Sequence, residues 1–189
     1  MSETVLPLGG AKVDGLVTVG EMALGMISLR GTLESEAIAT AVTELAGAAM
    51  PQPLKASAQG DRALLWMSPD ELLIVLPHAE APQAAHDLAG RLSGEHTLVA
   101  DVSDARAVFA LSGDDARLRE TLAKLTPADL SPGACPSGTV RRTRLAQIPG
   151  AIWLSEPGTV RVLCFRSVAR YAFDLLATAA APDAPVGVY

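Results

Sequence analysis

Ile27-Ser28-Leu29-Arg30-Gly31-Thr32 is an apolar strand that runs into a turn, and helical spacing starts directly after it. Eighty-two residues on, Phe109-Ala110-Leu111-Ser112-Gly113-Asp114 repeats the pattern, again ahead of a helical stretch. A second echo follows, since apolar residues 72–76 lead into one helix and residues 160–165 into another. Two passes through one order imply an internal duplication. The fold class expected from it is α+β, with two split β-α-β (ferredoxin-like) halves packed together.

Working outward, Thr32 reads as the N-cap of a helix over 33–49, with Ile38, Val42, Leu45 and Ala49 at helical spacing. Pro51 and Pro53 stop it, because proline cannot continue the helix ladder. Residues 62–67 and 72–76 form a hairpin about the turn Ser68-Pro69-Asp70-Glu71. Both strands are apolar at nearly every position, which predicts cover on both faces. Pro82 opens a helix to 93, and residues 97–102 are a short strand.

The second half begins with a strand over 105–112. A helix follows, led by Asp114 and Asp115, whose charges suit the positive end of its dipole. A loop rich in Pro and Gly, 126–138, precedes strands near 140–147, 151–154 and 159–165. The last helix, 167–180, carries Val168, Tyr171, Ala172, Leu175 and Leu176 as an apolar stripe. Residues 1–20 show no sustained period and read as an arm that lies on this domain or on a partner. The expected organisation is therefore an arm over 1–20, one domain over 21–181 in halves 21–102 and 103–181, and a tail over 182–189.

Composition bounds the function. Of 189 residues, 49% are hydrophobic and 19% charged, so the chain can bury a full core. A net charge of −6 and only seven aromatic residues argue against nucleic acid, which needs cationic and stacking surfaces. The absence of a basic leader and of a long apolar run predicts a cytoplasmic protein without a membrane partner. The charge is unevenly spread. Residues 1–140 hold nine basic and eighteen acidic residues, a net −9, whereas 141–189 hold six arginines and three acids, a net +3.

His78, His86 and His96 lie too far apart for a helical metal pair, and Cys135 and Cys164 lack zinc-site spacing. The chain contains no glycine-rich phosphate fingerprint and no G-x-S-x-G nucleophile elbow. Cys135, in a loop, reads as an inert thiol because no poised histidine accompanies it. Asp101-Val102-Ser103-Asp104-Ala105-Arg106 reads either as a carboxylate pair for proton transfer or as a tight turn, and the turn is preferred. Arg141-Arg142-Thr143-Arg144 is the sharpest charge feature. Period two puts Arg142 and Arg144 on one strand face and Arg141 with Thr143 on the other. Together with Arg161, these arginines form either a solvated sheet face or a docking surface for an acidic partner. Arg141, Arg142, Arg144 and Arg161 are the candidate docking residues; no catalytic, cofactor-binding or metal residue is assigned.

Residues 62–76, Arg-Ala-Leu-Leu-Trp-Met-Ser-Pro-Asp-Glu-Leu-Leu-Ile-Val-Leu, resemble the hairpin of the sarcosine oxidase gamma subunit family. So do residues 101–113, Asp-Val-Ser-Asp-Ala-Arg-Ala-Val-Phe-Ala-Leu-Ser-Gly, and Arg142-Thr143 followed by Leu145-Ala146-Gln147. The similarity runs from about residue 20 to 180. It implies a fold like the folate-binding part of the glycine-cleavage aminomethyltransferase. It also implies a structural subunit of the heterotetramer that demethylates sarcosine to glycine and passes the one-carbon unit to tetrahydrofolate. By that resemblance the partners are alpha, beta and delta subunits, which hold FAD, FMN, NAD, tetrahydrofolate and zinc, while this chain binds none. The alternative is a freestanding folate-binding or aminomethyl-transferring protein of the same fold.

Overall fold

The computed structural model describes residues 6–187 and 189. The chain divides into two compact units, 24–104 and a second that joins the described residues before 24 to those from 105 onward. It enters through two short strands of the second unit, β1 (Lys12–Val13) and β2 (Thr18–Met22).

The unit 24–104 runs β3 (Gly25–Arg30), α1 (Glu36–Ala46), β4 (Ala56–Gln59), β5 (Arg62–Ser68), β6 (Glu71–Leu76), α2 (Ala81–Arg91) and β7 (Leu98–Asp101). Its antiparallel sheet has the order β4-β5-β6-β3-β7. Strand alternation gives one face to Ile27, Leu29, Leu64, Leu72 and Ile74, which form a buried cluster with Ile38 and Val42 of α1 and Leu88 of α2. All six residues of β6 are buried, in keeping with its continuous apolar run.

The second unit continues with β8 (Arg106–Ser112), α3 (Asp115–Ala123), β9 (Val140–Leu145), β10 (Ile148–Glu156), β11 (Thr159–Phe165) and α4 (Ala169–Ala179). Its sheet order is β1-β2-β8-β11-β10-β9. Setting β1 aside, that order matches the first sheet position for position, with β9, β10, β11, β8 and β2 in the places of β4, β5, β6, β3 and β7. Each unit is thus a split β-α-β sheet with one added edge strand, and β1 adds a sixth strand at the other edge of the second unit's sheet. The stretch read as an arm supplies strands to this sheet: β1 lies at its edge, and β2 pairs antiparallel with β8, Val19 opposite Leu111. Val17 and Val19 are buried in that unit's core beside Phe109, Leu118, Ile152, Val162 and Leu176.

Four local expectations need correction. Helix α1 starts at Glu36 rather than 33, because residues 32–35 close a turn through the Ser35 N–H and the Thr32 carbonyl at 2.9 Å. The Ser35 hydroxyl donates to Glu95 instead of capping. Gly47, at φ +64°, ends the helix before the prolines are reached. Strand β9 stops at Leu145, since Ala146 adopts φ +50° in the turn to β10 and donates its N–H to Leu125 at 2.7 Å. Strand β4 has no apolar alternation and forms by pairing with β5. Helix α4 buries Ala169, Ala172, Phe173, Leu176 and Ala179, while Tyr171 of the expected stripe is exposed. The Phe173 ring lies 5.8 Å from Phe109, and the alanines let the helix approach the sheet.

Two loops of the second unit are fastened by charged side chains of α3. Buried Arg119 donates to the carbonyls of Leu130 at 2.5 Å and Cys135 at 2.9 Å, which orders the Pro/Gly-rich stretch between them. Buried Glu120 accepts from the N–H groups of Val186 and Gly187 and pairs with Arg117 at 3.2 Å. Lys124 donates to the Ala179 and Ala184 carbonyls. The two tail amides hold the Glu120 carboxyl below the usual glutamate range, against the opposing effect of desolvation. A carboxyl depressed in the native state contributes stability at neutral pH and loses it as pH falls through the native pKa. Thermal melts from pH 7 to pH 3 should therefore show the parent chain losing Tm more steeply in acid than Glu120→Gln. Parallel curves would remove Glu120 from the acid response.

Candidate functional site

The arginines singled out in the sequence all fall on the sheet of the second unit. On β9, Arg142 and Arg144 are exposed, and they face Ala151 and Pro149 of β10 across the ladder. Arg141 points to the opposite face, where its guanidinium donates to the carbonyls of Ala134 at 2.6 Å and Val140 at 3.3 Å. Thr143, on Arg141's face, shares a 2.9 Å hydrogen bond with Thr126. Arg141 therefore fastens the preceding loop to the strand, while its two neighbours face outward. Arg144 has no hydrogen bond or ion pair among the described residues.

Arg161 on β11 stands directly opposite Trp153 of β10, and its guanidinium carbon lies 4.5 Å from the indole centroid. Alternation puts both on the same face as Arg142, the face away from Ile152, Val162 and the helices. Arg161 is half-buried, and desolvation lowers its pKa while Glu156 opposes the shift. Arg106 repeats the arrangement one end of the ladder away, 4.5 Å above the exposed ring of Phe165, its cross-strand partner. Sequence reasoning missed Arg106 as a member of this face. The signal that finds it is the β8–β11 register, which no local pattern carries. Of the last segment's other arginines, Arg170 lies on α4 beside Asp174 at 3.8 Å.

The Asp101–Asp104 region is a turn. The Asp101 carboxylate accepts from the Ser103 N–H at 3.0 Å and its hydroxyl at 2.5 Å, and that hydroxyl accepts from the Met26 N–H at 2.9 Å. Asp104 stands 3.5 Å from the His78 imidazole, whereas His86 and His96 are exposed. Among the described residues no group of three or more His, Cys, Asp or Glu is placed to hold a metal ion. Cys135 is fully buried in the core rather than in an open loop. Burial pushes the Cys164 thiol up to about 11, with Arg106 pulling weakly the other way, so the thiol is protonated at neutral pH.

The Ser68–Glu71 turn is also a structural device. Arg30 donates to Asp70 at 3.2 Å and to buried Glu71 at 2.7 Å, and Ser28 adds a 3.3 Å hydrogen bond to Glu71. The Ser68 hydroxyl, 2.5 Å away, is the main reason the Asp70 carboxyl titrates below its ordinary range, and Arg30 lowers it further. Arg30→Met strands the buried Glu71 carboxylate from its cation. Because the guanidinium is half exposed, the expected loss is about 2 kcal/mol rather than the full cost of a buried pair. Urea unfolding of Arg30→Met checks this, and a midpoint shift equivalent to under about 0.5 kcal/mol would contradict it.

Each unit also carries an open groove on its helical side. A mixed one of about 510 Å³ between α1 and α2 is lined by the ion-paired Arg62 and Glu80, together with Asp87 and Arg91. A more apolar one of about 450 Å³ beside α4 is lined by Leu125, Tyr171, Leu175 and Ala184.

Residues 30–182 match the model of the sarcosine oxidase, gamma subunit family. The chain is 36% identical over 145 residues to the sarcosine oxidase subunit gamma of Arthrobacter sp, covering 74% of this chain and 68% of that protein. It is 34% identical over 154 residues to the subunit gamma of Corynebacterium sp. (strain U-96), covering 78% and 71%. Among solved structures it is similar to a chain of the heterotetrameric sarcosine oxidase from Corynebacterium sp. U-96 in complex with pyrrole 2-carboxylate. That match has a TM-score of 0.79 and 28% identity, over 94% of this chain and 91% of that one. The glycine cleavage system aminomethyltransferase T from Bartonella henselae shares the fold, with a TM-score of 0.62 and 16% identity, over 82% of this chain and 44% of that one.

Proposed function

The chain belongs to the sarcosine oxidase gamma subunit family, and from that premise we propose that it is the gamma subunit of a heterotetrameric sarcosine oxidase, serving assembly rather than chemistry. The observation that carries the reading is the extent of the match, 94% of this chain against 91% of a chain in a heterotetrameric enzyme. In this reading its partners are the alpha, beta and delta subunits. They hold the FAD, FMN, NAD, tetrahydrofolate and zinc used to demethylate sarcosine to glycine and to pass on the one-carbon unit. The place of action is the cytoplasm; no described helix is long and apolar enough to cross a membrane.

The docking surface we assign to the arginines of the second unit's sheet. Arg142 and Arg144 meet the partner, Arg161 stands beside them, and Arg141 holds their strand to the loop behind it. The buried thiol at Cys164, the turn chemistry at Asp101 and the clamped Asp70–Glu71 pair give the chain's acid and thiol groups structural work.

Calorimetry of the purified chain with a reduced folate tests this against the freestanding folate-binding alternative. The assembly reading expects no heat of binding at micromolar concentrations. Saturable micromolar binding would overturn it.

A further inference from the structure

We propose that the outer edge of β7 takes an extended, basic segment of a partner subunit as an added antiparallel strand. This rests on the assembly reading above and goes beyond it, placing a further contact in the unit 24–104 and assigning it to backbone groups.

Strand β7 is the last strand of its sheet and pairs only with β3. Its register decides which groups are already used. The Val102 N–H donates to the Met26 carbonyl at 2.8 Å, and antiparallel bonding alternates, so Ala100 and Leu98 also turn their amides toward β3. The N–H and C=O groups of Val99 and Asp101 therefore point outward, where no described residue pairs with them. None of the four residues is buried, and the Leu98 side chain is 58% exposed. Open edges are commonly guarded by lysine, proline or a bulge. Residues 98–101, Leu-Val-Ala-Asp, have none of these, and their register with β3 is unbroken. Strand β9, at the edge of the other sheet, carries three arginines.

The second unit shows what such an edge receives. There β2 holds the place of β7, and β1 covers its outer side, with Lys12 opposite Gly20 and Val13 opposite Val19. The Glu21 N–H extends this pairing to the Ala11 carbonyl at 2.8 Å. The chain thus covers this edge in one unit and leaves it bare in the other. An added strand satisfies the bare groups through its own backbone, and side chains at alternate positions set its identity.

Charge selects the occupant. Residues 95–104 contain Glu95, Asp101 and Asp104 but no Lys or Arg, and both aspartates are exposed. A second copy would set this acidic edge against itself, whereas a strand bearing Lys or Arg meets it favourably. Leu98 calls for an apolar side chain directly across from it.

Amide hydrogen exchange tests this on the full chain, free and bound to the remaining subunits purified without it. In the free chain the Val99 and Asp101 amides should exchange fast and the Ala100 amide slowly. Assembly should slow Val99 and Asp101 by about a hundredfold or more. Two variants add a binding measurement. Val99→Pro deletes an outward donor and no bond to β3, while Val99→Ala gives up packing but keeps the amide. Val99→Pro should bind the remaining subunits about tenfold or more weakly than Val99→Ala. Unchanged exchange at Val99 and Asp101 in the complex overturns the proposal, and so does equal binding of the two variants. A dimer of the isolated chain that Val99→Pro dissociates would assign the edge to a second copy and also overturns it. The two readings fail separately. If the parent chain does not bind the remaining subunits, the assembly reading falls and takes the edge with it. If it binds and the two amides stay fast, only the edge is wrong.

Discussion

Replacing both Arg142 and Arg144 with Glu should weaken assembly by about a hundredfold while barely changing the stability of the isolated chain. If these arginines dock an acidic partner, as proposed above, each reversal swaps an attraction for a repulsion, and like-charge juxtaposition at an interface costs several kcal/mol. Within the chain the same side chains are exposed on an edge strand, where substitutions usually shift stability by less than about 0.5 kcal/mol. Affinity for the remaining subunits, measured at 50 and 300 mM salt alongside a thermal melt, separates the alternatives. Loss of assembly with Tm preserved supports docking. Equal loss of both would return these arginines to an internal charge balance.

Phe109→Ala should be the most damaging single truncation in the second unit, at about 3–5 kcal/mol. Phe109 is fully buried at the middle of β8, between Val162 of β11 and Glu21 of β2, and its ring meets Phe173 of α4. One side chain therefore joins three strands to the helix layer. Its counterpart in the other unit is Ile27, also fully buried, which lies between Ile74 and Asp101. Ile27→Val removes a single methylene there and should cost about 1 kcal/mol. Urea titrations of the two variants test the ranking, and equal midpoints would show that the two cores are not loaded in this way.

Much of the fold was legible because strand and helix periods are local. The echo of 27–32 in 109–114 located β3–α1 and β8–α3, and the turn at Ser68-Pro69-Asp70-Glu71 located β5–β6. What escaped depends on partners far along the chain. Strands β1 and β2 are short, and β2 is a strand because β8 pairs with it some ninety residues later. The buried face of α4 follows from Phe173 meeting Phe109, whereas spacing alone admitted Tyr171. At the site, period two correctly separated Arg142 and Arg144 from Arg141. The pairing of Arg161 with Trp153 needs the β10–β11 register, bulge included. The Arg30 clamp on Glu71 and the Glu120 grip on the tail span 41 and 66 residues, beyond any sequence window.

Function was legible through resemblance to the sarcosine oxidase gamma subunit family, to which the chain belongs. The central question is whether this chain is built into the complex. Co-expression of the chain with the flavin-bearing subunits, followed by native mass spectrometry of the purified complex at low salt, measures this directly. One heterotetramer containing this chain in stoichiometric amount is the expected result. Flavin-bearing subunits that purify fully assembled without it, with the chain eluting alone, would contradict it.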